Sequence, residues 1–456
     1  MPNSFWGLAR KNLRRNLKRN LTTGSAIAFG FAGIILLGAY SNRVDNYIRV
    51  YTIYAAHTGH VALFAKNGLD KFGFEPKKHS FSKQRQLEIE GLLKNDSRVE
   101  MFEPRFSGVG LISNGCKSIP FSAVGIDPQI EEKLMIHPEV KRWTPQIESI
   151  KKGVKLVDAV KISSVAVVSI TQKVASALGK EKVKTEFDTG AAVKVVDCES
   201  SVALPQSDAS VQFLGNSWQG GMAALDADVV SIFSTGFDET DFSAIRMPLS
   251  VLQSFYDTER VAGYSVWLKE ASQLKSFIQT FSAALNGPSL APEPIDLIPW
   301  YDESLSPYYA GTIQFLNAMV GFVSSVLALV VLFSVLNSTT LTVLERTSEI
   351  GMYRSIGFRK RQIQTLFIQE SIWLSGFSLG IGLISGFVFV EMINRMKIVY
   401  HPPGASGGLQ LVLVANVSAI FVWAVVLLLL TIWSTRFSVV NKLKWQISDL
   451  LGGSGR

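Results

Sequence analysis

The chain is short of charge. Only 18% of its 456 residues are Asp, Glu, Lys or Arg, while 47% are hydrophobic; a soluble protein averages about 25% charged. With a mean hydropathy of +0.23, that deficit excludes intrinsic disorder, which needs low hydrophobicity and high net charge. It points instead to part of the chain being dissolved in lipid. Cysteine is scarce too: Cys116 and Cys198 are the two present, too few for a disulfide scaffold or a four-thiolate zinc site. The five histidines (His57, His60, His79, His137, His401) form no His-Glu-x-x-His pair, and His57 and His60 alone are short of a zinc ligand set. The nearest approach to a phosphate loop is GLISNGCKS, 110–118, where Cys116 intrudes between Gly115 and Lys117. The motif needs Gly-Lys-Ser/Thr, so this stretch reads as a hairpin turn. The chain is therefore expected to be no enzyme, with no metal site and no cofactor of its own.

Apolar runs are what it has. Residues 21–40 and 311–337 carry no charge; about 363–390 carries only Glu370, near its start; 409–435 is again uncharged. A bilayer span needs about 20 apolar residues at 1.5 Å rise each, so all four qualify. The first exceeds a signal-peptide core and follows a long basic flank, which favours a retained anchor.

The net charge of +8 is unevenly spread. Residues 1–20 hold six basic residues and no acid, and the 338–361 loop and the 436–456 tail are also net basic. Residues 42–309 hold 28 basic against 32 acidic. Basic loops mark the cytoplasmic side, so the excess is a topology signal rather than a nucleic-acid footprint. The expected fold is a membrane protein: four transmembrane α-helices with a large α+β extracytoplasmic domain inserted between helices 1 and 2. Its expected parts are a cytoplasmic amphipathic helix at 1–20, spans at 21–41, 310–338, 362–391 and 409–435, a domain at 42–309, an inner loop at 339–361, a short outer loop at 392–408 and a cytoplasmic tail at 436–456.

Within 42–309 the pattern predicts a helical extension of the first span to about Ala56 and strands at 60–64, 99–113 and 263–268. It predicts helices at 80–95 (opened by a serine cap), 247–257 and 270–286. The Val- and Ser-rich middle, including 160–171 and 191–197, reads as a β-rich inserted lobe. Residues 291–309, rich in proline and aromatics, read as an interfacial linker. Cys116 and Cys198 both fall in this domain; a disulfide suits an oxidising compartment, and the sequence leaves the bonded and free states open.

The most informative stretch is TVLERTSEIGMYRSIGFRKRQIQTLFIQES, 342–371. It reads as a short amphipathic helix interrupted by Gly351 and Gly357, then re-entry into the membrane. Its Glu-Arg, Ile-Gly, Arg-Ser-Ile-Gly and Arg-Gln-Ile elements resemble the FtsX-type permease domain, the family of MacB, the lipoprotein-releasing permeases and FtsX, also called type VII ABC transporters. TGHVALF (58–64), 232–256 and HPPGASGG (401–408) are similar to segments of the LolE-like subgroup.

The resemblance implies a permease that couples cytoplasmic ATP hydrolysis to motion of its outer domain, for lipoprotein or lipid extraction or for export of a periplasmic substrate. It implies a bacterial inner-membrane location with both termini cytoplasmic. It also implies a separate ABC ATPase that carries the ATP and Mg, a second permease, and a periplasmic adaptor or lipoprotein acceptor, with no nucleic acid. Carried onto this sequence, Glu345, Arg346, Glu349, Ile350, Gly351, Arg354 and Gly357 should form the helix that meets the ATPase. An alternative within the family is transmembrane signalling to an extracytoplasmic hydrolase, or drug and peptide efflux. Only Glu370 and Glu391 are ionisable within or at the ends of the spans, which argues against a charged path through the membrane. Gly376 with Gly380, and Gly382 with Gly386, are spaced for close helix packing.

Overall fold

The computed structural model describes residues 17–144, 150–179, 183, 209–285, 294–401 and 408–442. The first sixteen residues, Cys198 and the 191–197 run lie outside them. The chain divides into two compact units. One comprises Met1–Asp45, Ile313–Val399 and Gln410–Arg456; the other comprises Asn46–Thr312 with Tyr400–Leu409.

The first unit is built from helices long and apolar enough to cross a membrane, four among the described residues. They run Leu17–Val50, Pro307–Glu345, Lys360–Met396 and Val417–Lys442. Each is longer than its apolar run except the fourth, which starts at Val417 rather than Leu409. The residues before Val417 have committed their amides elsewhere: Leu411 N–H donates to the Ile398 carbonyl at 2.7 Å, and Leu413 N–H to Asn394 Oδ1 at 2.7 Å. Asn416 then caps the helix, accepting from Ser418 N–H at 3.1 Å, as a short polar side chain does for orphan amides.

Ile27, Phe31, Ile34 and Ile35 of the first helix pack with Val331 and Val335 of the second, Val390 of the third and Leu427 of the fourth. Hydroxyls join the third helix to the fourth, with Ser375 Oγ donating to Thr431 Oγ1 and Ser371 Oγ paired with Thr435 Oγ1, both at 2.9 Å. Gly382 and Gly386 admit the first helix: a Cβ would come within 2.7 Å of the Ala28 carbonyl oxygen at one and 2.9 Å of Ile35 Cδ1 at the other. Gly376 and Gly380 take no part in this packing; a Cβ there would meet nothing within 4 Å among the described residues.

The second unit is organised by a ten-stranded sheet. Its strands are β1 (Val61–Ala65), β2 (Val99–Ser113), β3 (Ser118–Ile126), β4 (Lys152–Gly153), β5 (Ala166–Thr171), β6 (Ser210–Asn216), β7 (Met222–Phe233), β8 (Ala244–Pro248), β9 (Gly263–Leu268) and β10 (Ile295–Pro299). The order is β10-β1-β9-β2-β3-β8-β5-β7-β4, with β6 bridging β2 and β7. The pairs β3/β8 and β5/β7 are parallel.

Three expectations change here. The expected β-rich lobe is continuous with the rest, because the fifteen-residue β2 pairs with β9 at one end and with β3 and β6 at the other. The run 160–171 is split: a helix, Leu156–Ile162, precedes β5. The 291–309 stretch is not simply a linker, since β10 pairs in register with β1 and buries Trp300. The turn at Asn114–Lys117 is a hairpin, in which Asn114 Oδ1 accepts from the amides of Cys116 and Lys117 at 2.9 and 2.7 Å. Ser82 caps the Lys83–Asn95 helix.

A π-helical turn, Tyr51–Ala55, closes against the sheet, with the Trp267 indole N–H donating to the Ile53 carbonyl at 2.9 Å. Beyond it His60 is buried, and its Nδ1 accepts from Leu268 N–H at 3.1 Å. Burial pushes this imidazole down to about 4, helped by the charges of His137 and Arg49. Protonation would cost both the burial and the bond. The unfolded chain takes up that proton near pH 6.5 and the fold only near pH 4, so stability is full above pH 6.5 and is lost as pH falls between the two. Up to about 3 kcal/mol of stability is at stake. Acid-induced unfolding of the purified protein between pH 7 and 4 should show this slope, and His60→Asn, which keeps an acceptor without a titrating ring, should flatten it.

Candidate coupling site

The second membrane helix stops at Glu345 and a short helix, Thr347–Ser355, begins after Arg346. Arg346 stands at φ −102° and ψ 20°, off the helical region, so Glu345 and Glu349 lie on different helices rather than on one face. Gly351 does not interrupt the short helix; it sits buried inside it. The chain turns at Gly357, whose φ of +97° suits a residue without Cβ. Arg359 N–H donates to Gln362 Oε1 at 2.8 Å as the third membrane helix begins.

The break is held by charge. Arg346 is buried, and its Nε donates to Glu349 Oε2 at 2.8 Å. Its Nη1 donates to both Glu370 oxygens, at 2.9 and 3.0 Å. The guanidinium lies 5.1 Å over the Phe367 ring. A carboxylate placed near the start of an apolar helix is costly unless paired. A planar, permanently charged guanidinium can engage two carboxylates and a ring at once, as an ammonium cannot. Beside the cluster is a cavity of about 50 Å³, lined by Arg19, Thr23, Arg346 and Glu370 among others. Arg19 is ion-paired with Glu345.

Apolar packing supports the same geometry. Ile350 packs with Val343, Ile363, Phe367 and Val439, and Tyr353 and Phe358 close the cluster. Burying Ile350 contributes about 2 kcal/mol. The opposite face of the short helix carries Ser348, Met352, Ser355 and Ile356, all exposed, Ile356 at 70%. Their spacing of four, three and one follows the helical period.

Of the residues expected to meet a partner, Arg346, Ile350 and Gly351 are therefore turned inward, and Glu349 and Arg354 are half-buried. Glu345 and Gly357 are exposed. Arg346 is used within the fold, and its part is to hold the helix in place. Sequence reasoning missed Glu370 and Phe367 as its partners; the available signal was a solitary carboxylate in an otherwise uncharged run. Among the described residues, no group of three or more His, Cys, Asp or Glu is placed to hold a metal ion.

Residues 321–443 match the FtsX-like permease C-terminal family. An uncharacterized ABC transporter permease of Bacillus subtilis, YknZ, is 25% identical over 151 residues, 33% of this chain and 38% of that protein. The pyoverdine export ATP-binding/permease protein PvdT of Pseudomonas savastanoi pv. phaseolicola is 30% identical over 110 residues, 24% of this chain and 17% of that protein. The chain thus matches well under half the length of these relatives. Among solved structures, the extracellular domain of YknZ from Gram-positive bacteria aligns at 16% identity and a TM-score of 0.31, over 52% of this chain and 98% of that one. The periplasmic region of MacB from Actinobacillus actinomycetemcomitans aligns at 14% identity and 0.32, over 56% and 92%.

The cluster yields a double-mutant test. Arg346→Met removes the guanidinium from two carboxylates and should cost about 3 kcal/mol, Glu370→Met leaves Arg346 its Glu349 pair and should cost less, and the two changes together should cost less than the sum of the single losses. Thermal unfolding of the four detergent-solubilised proteins measures this; additive losses would mean the two side chains do not interact.

Proposed function

With residues 321–443 an FtsX-like permease C-terminal domain, we propose that this chain is the permease subunit of an ABC transporter and is driven by a separate ATPase that carries the ATP and Mg. The observation that supports this most is the short helix Thr347–Ser355. It is pinned through Arg346 to Glu370 of the third membrane helix and offers Met352 and Ile356 outward. Force applied to that outward face has a stiff route into the second and third membrane helices, because the Arg346 pairs and the Ile350 contacts join them at the point of loading. In this reading the helix, both termini and the basic loops face the cytoplasm of a bacterial inner membrane, and the 46–312 domain lies outside. ATP turnover moves the outer domain instead of opening a charged path through lipid. The permease acts as a dimer.

For the cargo, we favour extraction of a lipoprotein or lipid, on the strength of TGHVALF, 58–64, and HPPGASGG, 401–408. The name of PvdT favours export of a soluble product as the second reading. Affinity purification from membranes of the native host tests the proposal. An ATPase should accompany the chain, and its turnover should depend on it; a chain that purifies from native membranes without any ATPase would overturn the reading. Met352→Glu should lower permease-dependent ATP turnover by about tenfold, the effect of losing ~1.4 kcal/mol at a central contact, while leaving the unfolding temperature unchanged.

A further inference from the structure

The loop that joins β7 to β8, STGFDETDFS at 234–243, forms a second joint that the coupling site does not use. Its polar residues brace one another. Asp241 is buried, and its carboxylate accepts from Ser234 Oγ at 2.9 Å and from Thr235 N–H at 2.7 Å. Thr171, at the end of β5, donates its hydroxyl to the Asp241 carbonyl. A buried and satisfied polar network rigidifies the backbone that carries it. Gly236 turns the loop at φ +85°, a conformation that favours a residue without Cβ. Phe237 follows directly on that turn.

Phe237 sits between two tyrosines. Its ring centroid lies 4.8 Å from that of Tyr51 and 4.6 Å from that of Tyr308, edge-to-face at 77° and 69°. Tyr51 opens the π-helical turn that continues the first membrane helix, and Tyr308 stands in the first turn of the second. All three rings belong to the 46–312 unit. The end of the first helix has other ties to the sheet: Arg246 of β8 donates to the Ala55 carbonyl at 3.0 Å, beside the Trp267 bond to Ile53. At the start of the second helix, Tyr309 packs on Trp300 at 4.6 Å, which leads back to β10. Phe237 leads instead into β7 and β8. These strands belong to a closed circuit, β2-β3-β8-β5-β7-β6 and back to β2. Such a circuit has no free edge at which a displacement can be absorbed by slipping.

We propose that Phe237 is the outer positioning residue of the coupling cycle: it takes the displacement of the second membrane helix at Tyr308 and passes it through β7 into the closed circuit of strands. The inference rests on the ATPase-driven reading, in which load enters the second helix beside Arg346. Coupling between distant sites is carried by rigid elements and packed side chains. An edge-to-face ring pair holds a preferred geometry beyond its burial, so the contact specifies an orientation as well as a distance. The braced loop keeps Phe237 fixed to β7, and the tyrosines keep it fixed to the helix ends.

Hydrogen exchange read by mass spectrometry tests it, on the full-length chain in lipid nanodiscs with its co-purified ATPase, with and without a non-hydrolysable ATP analogue and Mg. In the unmodified complex the nucleotide should alter exchange both in the short inner helix, Thr347–Ser355, and in β7 and β8. In Phe237→Ala the inner response should stay, while the β7 and β8 response should fall about fivefold or more, as loss of two aromatic pairs predicts. Phe237→Tyr keeps the ring and should restore the outer response. A full outer response in Phe237→Ala would overturn the inference, as would inner and outer responses lost together in a variant that unfolds at the unmodified temperature. Should Phe237→Ala not fold, Tyr308→Leu, which removes the facing ring, decides by the same split between inner and outer response. An unmodified complex that responds at Thr347–Ser355 but not in β7 and β8 overturns this inference and leaves the ATPase reading standing. No response at Thr347–Ser355, or no ATPase to purify, defeats the ATPase reading itself, and this inference falls with it.

Discussion

A peptide group in hydrocarbon has no water to bond, and that single constraint arranges the four long helices of this molecule. Each apolar run must satisfy its own N–H and C=O groups, so each becomes a helix. Polar side chains within the runs follow the same rule. Thr22 and Thr435 return their hydroxyls to carbonyls one turn back, while Ser375 and Ser371 find hydroxyls of the fourth helix. The constraint also explains where the fourth helix begins. Residues ahead of Val417 have amides already bonded to Ile398 and Asn394, and the helix starts only where such partners run out.

The same scarcity of solvation makes the Arg346 cluster decisive. A carboxylate at Glu370 and a guanidinium at Arg346 are each costly where they stand, and each removes the other's penalty. Pairing across the loop fixes the end of the second membrane helix relative to the start of the third, and it thereby sets the angle at which Thr347–Ser355 leaves. Ile350 and Phe367 add a dry base to that joint. The result is a short helix whose inner face is spoken for and whose outer face, at Met352 and Ile356, is apolar and uncovered.

In the 46–312 domain two histidines three residues apart meet opposite fates. His60 lies in a closed environment that favours its neutral form and uses Nδ1 as an acceptor. His57 is held by Glu103 at Nδ1, and its Nε2 is buried without a hydrogen-bond partner among the described residues. The difference comes from the strands behind them: β9 presents a backbone amide to one, and β2 presents a carboxylate to the other.

Sequence by itself determined the features governed by composition and short-range period. Four apolar runs, the sign of the charge on each side of them, the Ser82 cap, the Asn114 hairpin and strands such as β1 and β9 were all legible, because each depends on neighbours within a few residues. The loop motif at 342–371 was legible as a resemblance. Contacts between residues far apart in the chain were decided only in three dimensions. Arg346 meets Glu370 across a turn, β10 joins β1 from more than two hundred residues away, and Gly382 packs on the first helix while Gly376 does not. His57 meets Glu103 because β2 passes the end of the π-helical turn. Periodicity states which face of an element is apolar, but not what lies opposite it; that depends on how all the elements close together, and a buried charge finds its partner only then.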